Sequence, residues 1–393
     1  MQDHKACRQK AATLIGLSGQ ETADEISPSV EAQRGFSCAC LLLATFSLLT
    51  SSPVLADPRG HGKPLIPIQT STIPANGDLN PYGVAFVPPE FPDSSPLKPG
   101  DVLVSNFNSS GNTQGTGTTI VSISPTGQQT PFFQGTPPLG LTTALGVLKK
   151  GFVLVGNVPT NSQGAPQQGS LLILDKTGTL LQTLTDPALL DGPWDLTILD
   201  QGNSAIVFVS CVLNGTVTRI DLAINGNAVS VKTKITIASG YQFAPNQAAL
   251  VVGPTGLAFD ARTGTLYVAS TSDNKIFGVP NAATVGQSKG TGNVVYNDPA
   301  HLHGPLGLVL APNGHLISSQ GDAINASSDP AQQSEIVEFT KSGQFVRQFS
   351  IDSAAGAAFG IAINFGDHDR VQFAAVDDAM NSLTVYDLKG ADR

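Results

Sequence analysis

A short phrase recurs six times along the chain and limits its fold more than any other feature. It is an apolar strand opened by a Gly, then a turn, then a second apolar strand ending on a polar residue. The copies are Pro81-Tyr82-Gly83-Val84-Ala85-Phe86, Leu139-Gly140-Leu141, Pro193-Trp194-Asp195-Leu196, Pro254-Thr255-Gly256-Leu257-Ala258-Phe259, Pro305-Leu306-Gly307-Leu308-Val309-Leu310 and Phe359-Gly360-Ile361-Ala362-Ile363. The Gly position, held by Asp in the third copy, falls at 83, 140, 195, 256, 307 and 360, giving gaps of 57, 55, 61, 51 and 53 residues. A repeat near this period belongs to a stacked or radial array.

The second strands of the copies align on their polar last residue. They are Val102-Leu103-Val104-Ser105-Asn106, Val153-Leu154-Val155-Gly156-Asn157, Val207-Phe208-Val209-Ser210-Cys211, Leu266-Tyr267-Val268-Ala269-Ser270, Leu316-Ile317-Ser318-Ser319-Gln320 and Phe373-Ala374-Ala375-Val376-Asp377. Such short β-branched and aromatic runs are strands. Third and fourth strands follow as hairpins turning at Gly127, Gly178 and Gly343, where Gly supplies the positive φ that a tight turn needs. No long 3.6-residue periodicity follows residue 56, so little helix is expected. Six sets of four strands predict an all-β, six-bladed β-propeller. A pair of β-sandwiches or an open solenoid is the rival arrangement. The sixth copy ends after three strands, so residues 63–73 (KPLIPIQTSTI) are expected to supply its fourth and close the ring. Their prolines suit an edge strand.

The chain of 393 residues carries 21 basic and 30 acidic side chains, a net charge of -9. That balance, without any basic cluster, excludes the phosphate neutralisation that nucleic-acid binding needs. Residues 1–56 read as a leader. Residues 36–49 (FSCACLLLATFSLL) have the length of a signal-peptide apolar region, Arg34 precedes them, and Val54-Leu55-Ala56 resembles a cleavage site. The long acidic stretch before residue 36 suits a start at Val30 better than one at Met1. A membrane anchor is the alternative, but the stretch is too short to span. Cleavage after Ala56 leaves 57–393 as one propeller domain with a net charge of -8 (17 basic, 25 acidic). It also leaves Cys211 alone, so no internal disulfide staples the mature domain. The expectation is an exported monomer, periplasmic or extracellular, with no integral membrane segment.

The fourth and fifth copies carry a family resemblance. Gly253-Pro254-Thr255-Gly256-Leu257-Ala258-Phe259-Asp260, Gly264-Thr265-Leu266-Tyr267-Val268-Ala269-Ser270, Asp273-Asn274-Lys275-Ile276 and the turn Pro312-Asn313-Gly314-His315-Leu316 resemble NHL repeats. They depart from the pattern at Ser270, where Asp is common, and at Lys275, where Arg is common. The wider group holds the SMP-30/gluconolactonase, strictosidine-synthase-like and streptogramin-lyase propellers. The resemblance implies the propeller fold over residues 63–388 more firmly than any activity. It also implies a metal held near the axis by Asn, Asp and Glu in the enzymes of the group.

Three long polar insertions, residues 106–118, 158–169 and 321–334, leave the second strands on one face, the usual binding face of a repeat array. The strand ends Asn106, Asn157, Cys211, Ser270, Gln320 and Asp377 form a polar ring. Its amide oxygens with Asp377, and Asp195 nearby, are candidate ligands for a hard cation such as Ca²⁺; closing of blade loops by those side chains is the alternative. Asp195, the one departure from Gly, could bind metal or act as a general base, or could accept backbone N–H groups at a strand start. Its neighbour Trp194, the only Trp, could cover the channel mouth, stack on a ligand or pack in the core, and Tyr82 is a further candidate on the ligand face. His301-x-His303 has metal-ligand spacing but needs further ligands. No phosphate loop, paired-Cys zinc motif or nucleophile elbow is present. Two functions remain. One is a binding module using the loop-rich face for a protein, peptide, glycan or small molecule. The alternative is a metal-dependent hydrolase or lyase, which needs carboxylates around the axis, where only Asp195 and Asp377 are candidates.

Overall fold

The first strand of the described chain pairs with its last. The computed structural model describes residues 67–365 and 371–388. Strand β1 (Ile68–Ser71) runs antiparallel to β26 (Ser382–Leu388), with Ile68 opposite Val385 and Ser71 opposite Ser382. Residues 68–71 of the expected closing segment thus do what the sequence predicts. Residues 63–66, the expected leader and its cleavage site lie outside the described residues.

Between these ends the chain lays down five complete blades. The first is β2 (Leu79–Phe86), β3 (Val102–Asn108), β4 (Thr119–Ile123) and β5 (Gln129–Gln134). The second is β6 (Leu141–Leu148), β7 (Phe152–Asn157), β8 (Ser170–Asp175) and β9 (Leu180–Leu184). The third is β10 (Pro193–Asp200), β11 (Ser204–Cys211), β12 (Thr216–Asn225) and β13 (Ala228–Ser239). A small hairpin, β14 (Ala244–Asn246) and β15 (Leu250–Val252), then interrupts the series. The fourth blade is β16 (Pro254–Asp260), β17 (Thr265–Ser270), β18 (Lys275–Val279) and β19 (Asn293–Tyr296). The fifth is β20 (Pro305–Leu310), β21 (Leu316–Gln320), β22 (Glu335–Phe339) and β23 (Phe345–Ser350). The sixth is β24 (Ala358–Phe365), β25 (Val371–Asp377) and β26, completed by β1. The inner strands β2, β6, β10, β16, β20 and β24 touch in sequence around a closed ring. Among the described residues the only helical turn is 3-10, at Pro330–Gln332, and no helix is long and apolar enough to cross a membrane.

Alternation along each second strand explains its unbroken apolar run. Val102 and Val104 of β3 pack toward blade six, whereas Leu103 packs toward blade two. On β7, Val153 and Val155 face blade one and Leu154 faces blade three. On β11, Val207 and Val209 meet blade two and Phe208 meets blade four. Successive side chains point to opposite faces, and a blade is covered on both, so both sets must be apolar.

The recurring Gly marks where neighbouring inner strands approach. A Cβ on Gly360 would sit inside the carbonyl oxygen of Tyr82 in blade one, and one on Gly256 would strike the carbonyl of Leu306 in blade five. Gly307 faces the carbonyl of Phe359 in the same way. The second copy differs. Leu141 pairs with Asn157 as Pro81 pairs with Asn106, so Gly140 precedes the strand instead of starting it. A bulge between Leu141 and Leu145 accommodates one extra residue there.

Hydroxyls staple these approaches. Ser105 Oγ accepts from Gly83 N at 2.9 Å and donates to Thr142 O at 2.8 Å. Thr142 Oγ1 donates to Pro193 O at 2.8 Å, Thr255 Oγ1 donates to Pro305 O at 3.1 Å, and Ser319 Oγ donates to Phe359 O.

Candidate functional site

Two places collect chemistry, and they differ in access. The first is the propeller axis. Its end at the strand starts is filled, because Tyr82 stacks between Phe107 and Phe359 with centroids 4.5 and 4.1 Å away. Trp194 meets Phe107 edge-on at 5.4 Å, and Leu306, Leu250 and Val251 complete the plug. Leu250 and Val251 come from β15, so the hairpin caps the axis. Gln114, from the first long loop, braces that hairpin through a 2.8 Å bond from Nε2 to Ala248 O. Trp194 and Tyr82 are therefore buried in the core, and burial also drives the Tyr82 phenol up.

Below the plug the axis widens into a channel of ≈ 620 Å³. Its wall is made by Val84, Leu145, Leu196, Leu257, Leu308 and Ile361 from the six inner strands, and Glu90 and Lys149 stand at its mouth, paired at 2.9 Å. The channel opens at the far ends of the inner strands, opposite the long loops. Among the described residues Asp195 is the only other ionisable one lining it. Its N–H donates to Ser210 Oγ at 3.0 Å, and its Oδ1 accepts from Leu196 N at 2.7 Å. Burial lifts its carboxyl well above the usual range, and the N–H groups of Leu196 and Leu257 act in the opposite direction. Leu257 belongs to blade four, so this carboxyl bridges blades three and four where hydroxyls serve elsewhere.

The polar strand ends serve their own blade loops. Asn106 Nδ2 donates to Thr72 O at 3.1 Å and to Thr119 Oγ1 at 3.3 Å. Asn157 Oδ1 accepts from Gly140 N at 2.8 Å, and its Nδ2 donates to Ser170 Oγ at 3.1 Å. Gln320 Oε1 accepts from His303 N at 2.9 Å. Asp377 Oδ1 accepts from Met380 N at 3.0 Å. Burial, then repulsion from Asp352, pushes the Asp377 carboxyl up to about 6. Burial, then repulsion from Asp377 and Asp352, pushes Asp378 up to about 7. Cys211 is buried, and burial pushes its thiol up to about 12, which makes it a poor nucleophile.

The second place lies in blade five, where the two sequence-adjacent His residues part company. His301 Nδ1 bonds Asp298 at 2.6 Å, and its ring stacks on Phe345 at 3.7 Å. His303 turns inward to Asp322 and Glu335, with exposures of 4, 8 and 0%. One ligand atom from each of the three lies within 4.8 Å of the others. His303 Nδ1 is 3.0 Å from Glu335 Oε1 and 3.1 Å from Gln332 O. Asp322 Oδ2 accepts from Ser334 N at 2.7 Å and from Gly356 N at 2.9 Å. Asp322 Oδ1 and Glu335 Oε2 are buried without a hydrogen-bond partner. Burial, with a contribution from Asp322, pushes the Glu335 carboxyl up to about 8.

Sequence reasoning found His303 but missed its partners. Two signals were present: a Glu opening the apolar strand Glu335-Ile336-Val337, and an Asp just beyond the polar strand end Gln320.

No protein-family model and no curated protein matches the chain. Solved structures similar to it include the calcium-binding protein regucalcin from Agrobacterium tumefaciens, 16% identical, covering 83% of this chain and 98% of that one, with a TM-score of 0.47. A gluconolactonase from Xanthomonas campestris is 14% identical and covers 80% of this chain and 88% of that one, with a TM-score of 0.44. A putative oxidoreductase (glucose dehydrogenase) from Thermus thermophilus is 12% identical and covers 82% of this chain and 100% of that one, with a TM-score of 0.46. At these identities and TM-scores the similarity transfers no activity to this chain.

Proposed function

We propose that this protein is a propeller enzyme of hydrolase or lyase type that takes a small molecule into the axial channel and uses Asp195 to transfer a proton. One observation carries the reading: among the described residues a single ionisable group lies inside the axial channel, and burial shifts that carboxyl upward. A perturbed acid in the main cleft is the usual mark of acid–base work. As the acid, Asp195 protonates the oxygen on which charge develops when an ester or lactone bond opens. As its conjugate base it takes a proton from the attacking water, which restores the starting state. The protein is taken to act after export, on the strength of the apolar stretch at residues 36–49.

The test is a screen of lactones and aryl esters with the full chain, followed by Asp195→Asn. The amide keeps the acceptor for Leu196 N but cannot transfer the proton. The expected loss of kcat/KM is about 10²- to 10⁴-fold, with circular dichroism unchanged. A variant as active as the parent would sink the assignment. A binding propeller is the second reading, favoured by the lack of a second ionisable group inside the channel among the described residues. A ligand held there unchanged is its signature.

A further inference from the structure

We propose that His303, Asp322 and Glu335 form a binding site for one divalent transition-metal ion, zinc fitting best, which fixes the long loop of blade five to the rim of the propeller. The site is separate from the axial channel and does not depend on its chemistry.

The geometry carries the argument. Each ligand comes from a different segment: His303 from the stretch before β20, Asp322 from just after β21, and Glu335 from the start of β22. Antiparallel pairing brings these three points to the same end of the blade. The ligand atoms already lie within 4.8 Å of one another, about the span of a ligand shell at ~2.0–2.2 Å from a central ion. Gln332 O, beside His303 Nδ1, is placed to serve as a fourth donor.

The polar accounting points the same way. Asp322 has one oxygen held by two backbone N–H groups, and its other oxygen is buried and bare. Glu335 has one oxygen against His303, and its other is likewise bare at 0% exposure. A buried carboxylate oxygen without a partner is costly, and two in one cluster more so. A divalent cation satisfies both and cancels the two carboxylate charges. The donor set chooses among cations. Ca²⁺ and Mg²⁺ take oxygen shells, whereas an imidazole with two carboxylates suits zinc and its neighbours.

The backbone holds the arrangement. Asp322 and Ser334, at the two ends of the loop, have φ of 54° and 53°, a left-handed conformation that ordinary side chains seldom adopt. Gly356 N, which binds Asp322, belongs to the approach to blade six, so the site also ties two blades together. Its burial fits a structural ion better than one that meets substrate.

The experiment uses the full chain, stripped with a chelator and titrated calorimetrically with ZnCl₂, then with CaCl₂. One zinc per chain is expected, with a higher Tm and slower proteolysis of residues 321–334, and no comparable response to calcium. Asp322→Asn and Glu335→Gln should each weaken zinc binding by more than about tenfold. His301→Ala and Asp195→Asn should leave it intact, which separates this site from the channel acid. If the triad variants fail to fold, X-ray absorption on the zinc-loaded parent decides: a nitrogen and oxygen shell containing one imidazole is expected. Absence of stoichiometric zinc binding, retention of it in Asp322→Asn/Glu335→Gln, or a sulfur-containing shell would overturn the assignment.

Discussion

Gly360 shows how one missing carbon can govern a contact between blades. The space a Cβ would need is occupied by the Tyr82 carbonyl, which is backbone and cannot swing aside. Gly360→Ala is therefore expected to cost about 3 kcal/mol or more, read as a lower Tm. The same change at Gly286, where no atom lies within 4 Å, should be nearly silent. Legibility at this scale was uneven. The repeated Gly was plain in the sequence because the constraint is local to each copy. Asp195 also stood out, as a break in that pattern. Its task was hidden, because its partner Leu257 belongs to another blade and pairing across blades leaves no periodic trace. Asp322 and Glu335 were invisible as partners of His303 for a similar reason: only the return of a 14-residue loop, 321–334, brings them together.

The blades were legible at the scale of elements because each second strand repeats a buried apolar run ending on a polar residue. The closing strand could be read from a deficit, the absence of a fourth strand in the sixth copy. The β14–β15 hairpin could not. Strands of three residues are too short to show a period, yet Leu250 and Val251 help to seal the axis above Trp194. The seal places the open channel on the face away from the long insertions, where the usual rule for repeat arrays puts the ligand. Closure itself rests on β1; just after it Thr72 N donates to Asn381 O at 2.9 Å, and Asn80 N of β2 donates to Asn381 Oδ1 at 2.7 Å. Removing residues 57–75 should strip blade six of its outer strand and expose the edge of β26. A large fall in Tm, with aggregation through that edge, is the expected outcome; calorimetry and light scattering check it, and an unchanged Tm would contradict the closing role.

For the whole molecule, acidity is a matter of distribution as well as sum. Asp377 and Asp378 keep their protons to about 6 and about 7 in the fold, against 3.8 as the ordinary value. Between those values the folded state binds more protons than the unfolded chain, so stability falls as pH rises through that window. Asp175, Asp186, Asp260 and Asp298 behave oppositely. Hydrogen bonds and cationic or imidazole neighbours hold them below their ordinary range, so their contribution is lost as pH drops below about 4. Stability should peak near pH 4, where both sets contribute, and fall from there to pH 8. Thermal melts across pH 3–9 test this, and a maximum at pH 8 would contradict it.

The seam between β1 and β26 also sets a timetable. Gln69 and Ser382, which bond across it at 3.3 Å, are separated by 313 residues. During synthesis the first strand is made early and must wait, unpaired, until almost everything else has emerged. Loop closure over such a distance is slow to search. Ring formation is therefore expected late in folding, after the blades that β1 must span have formed.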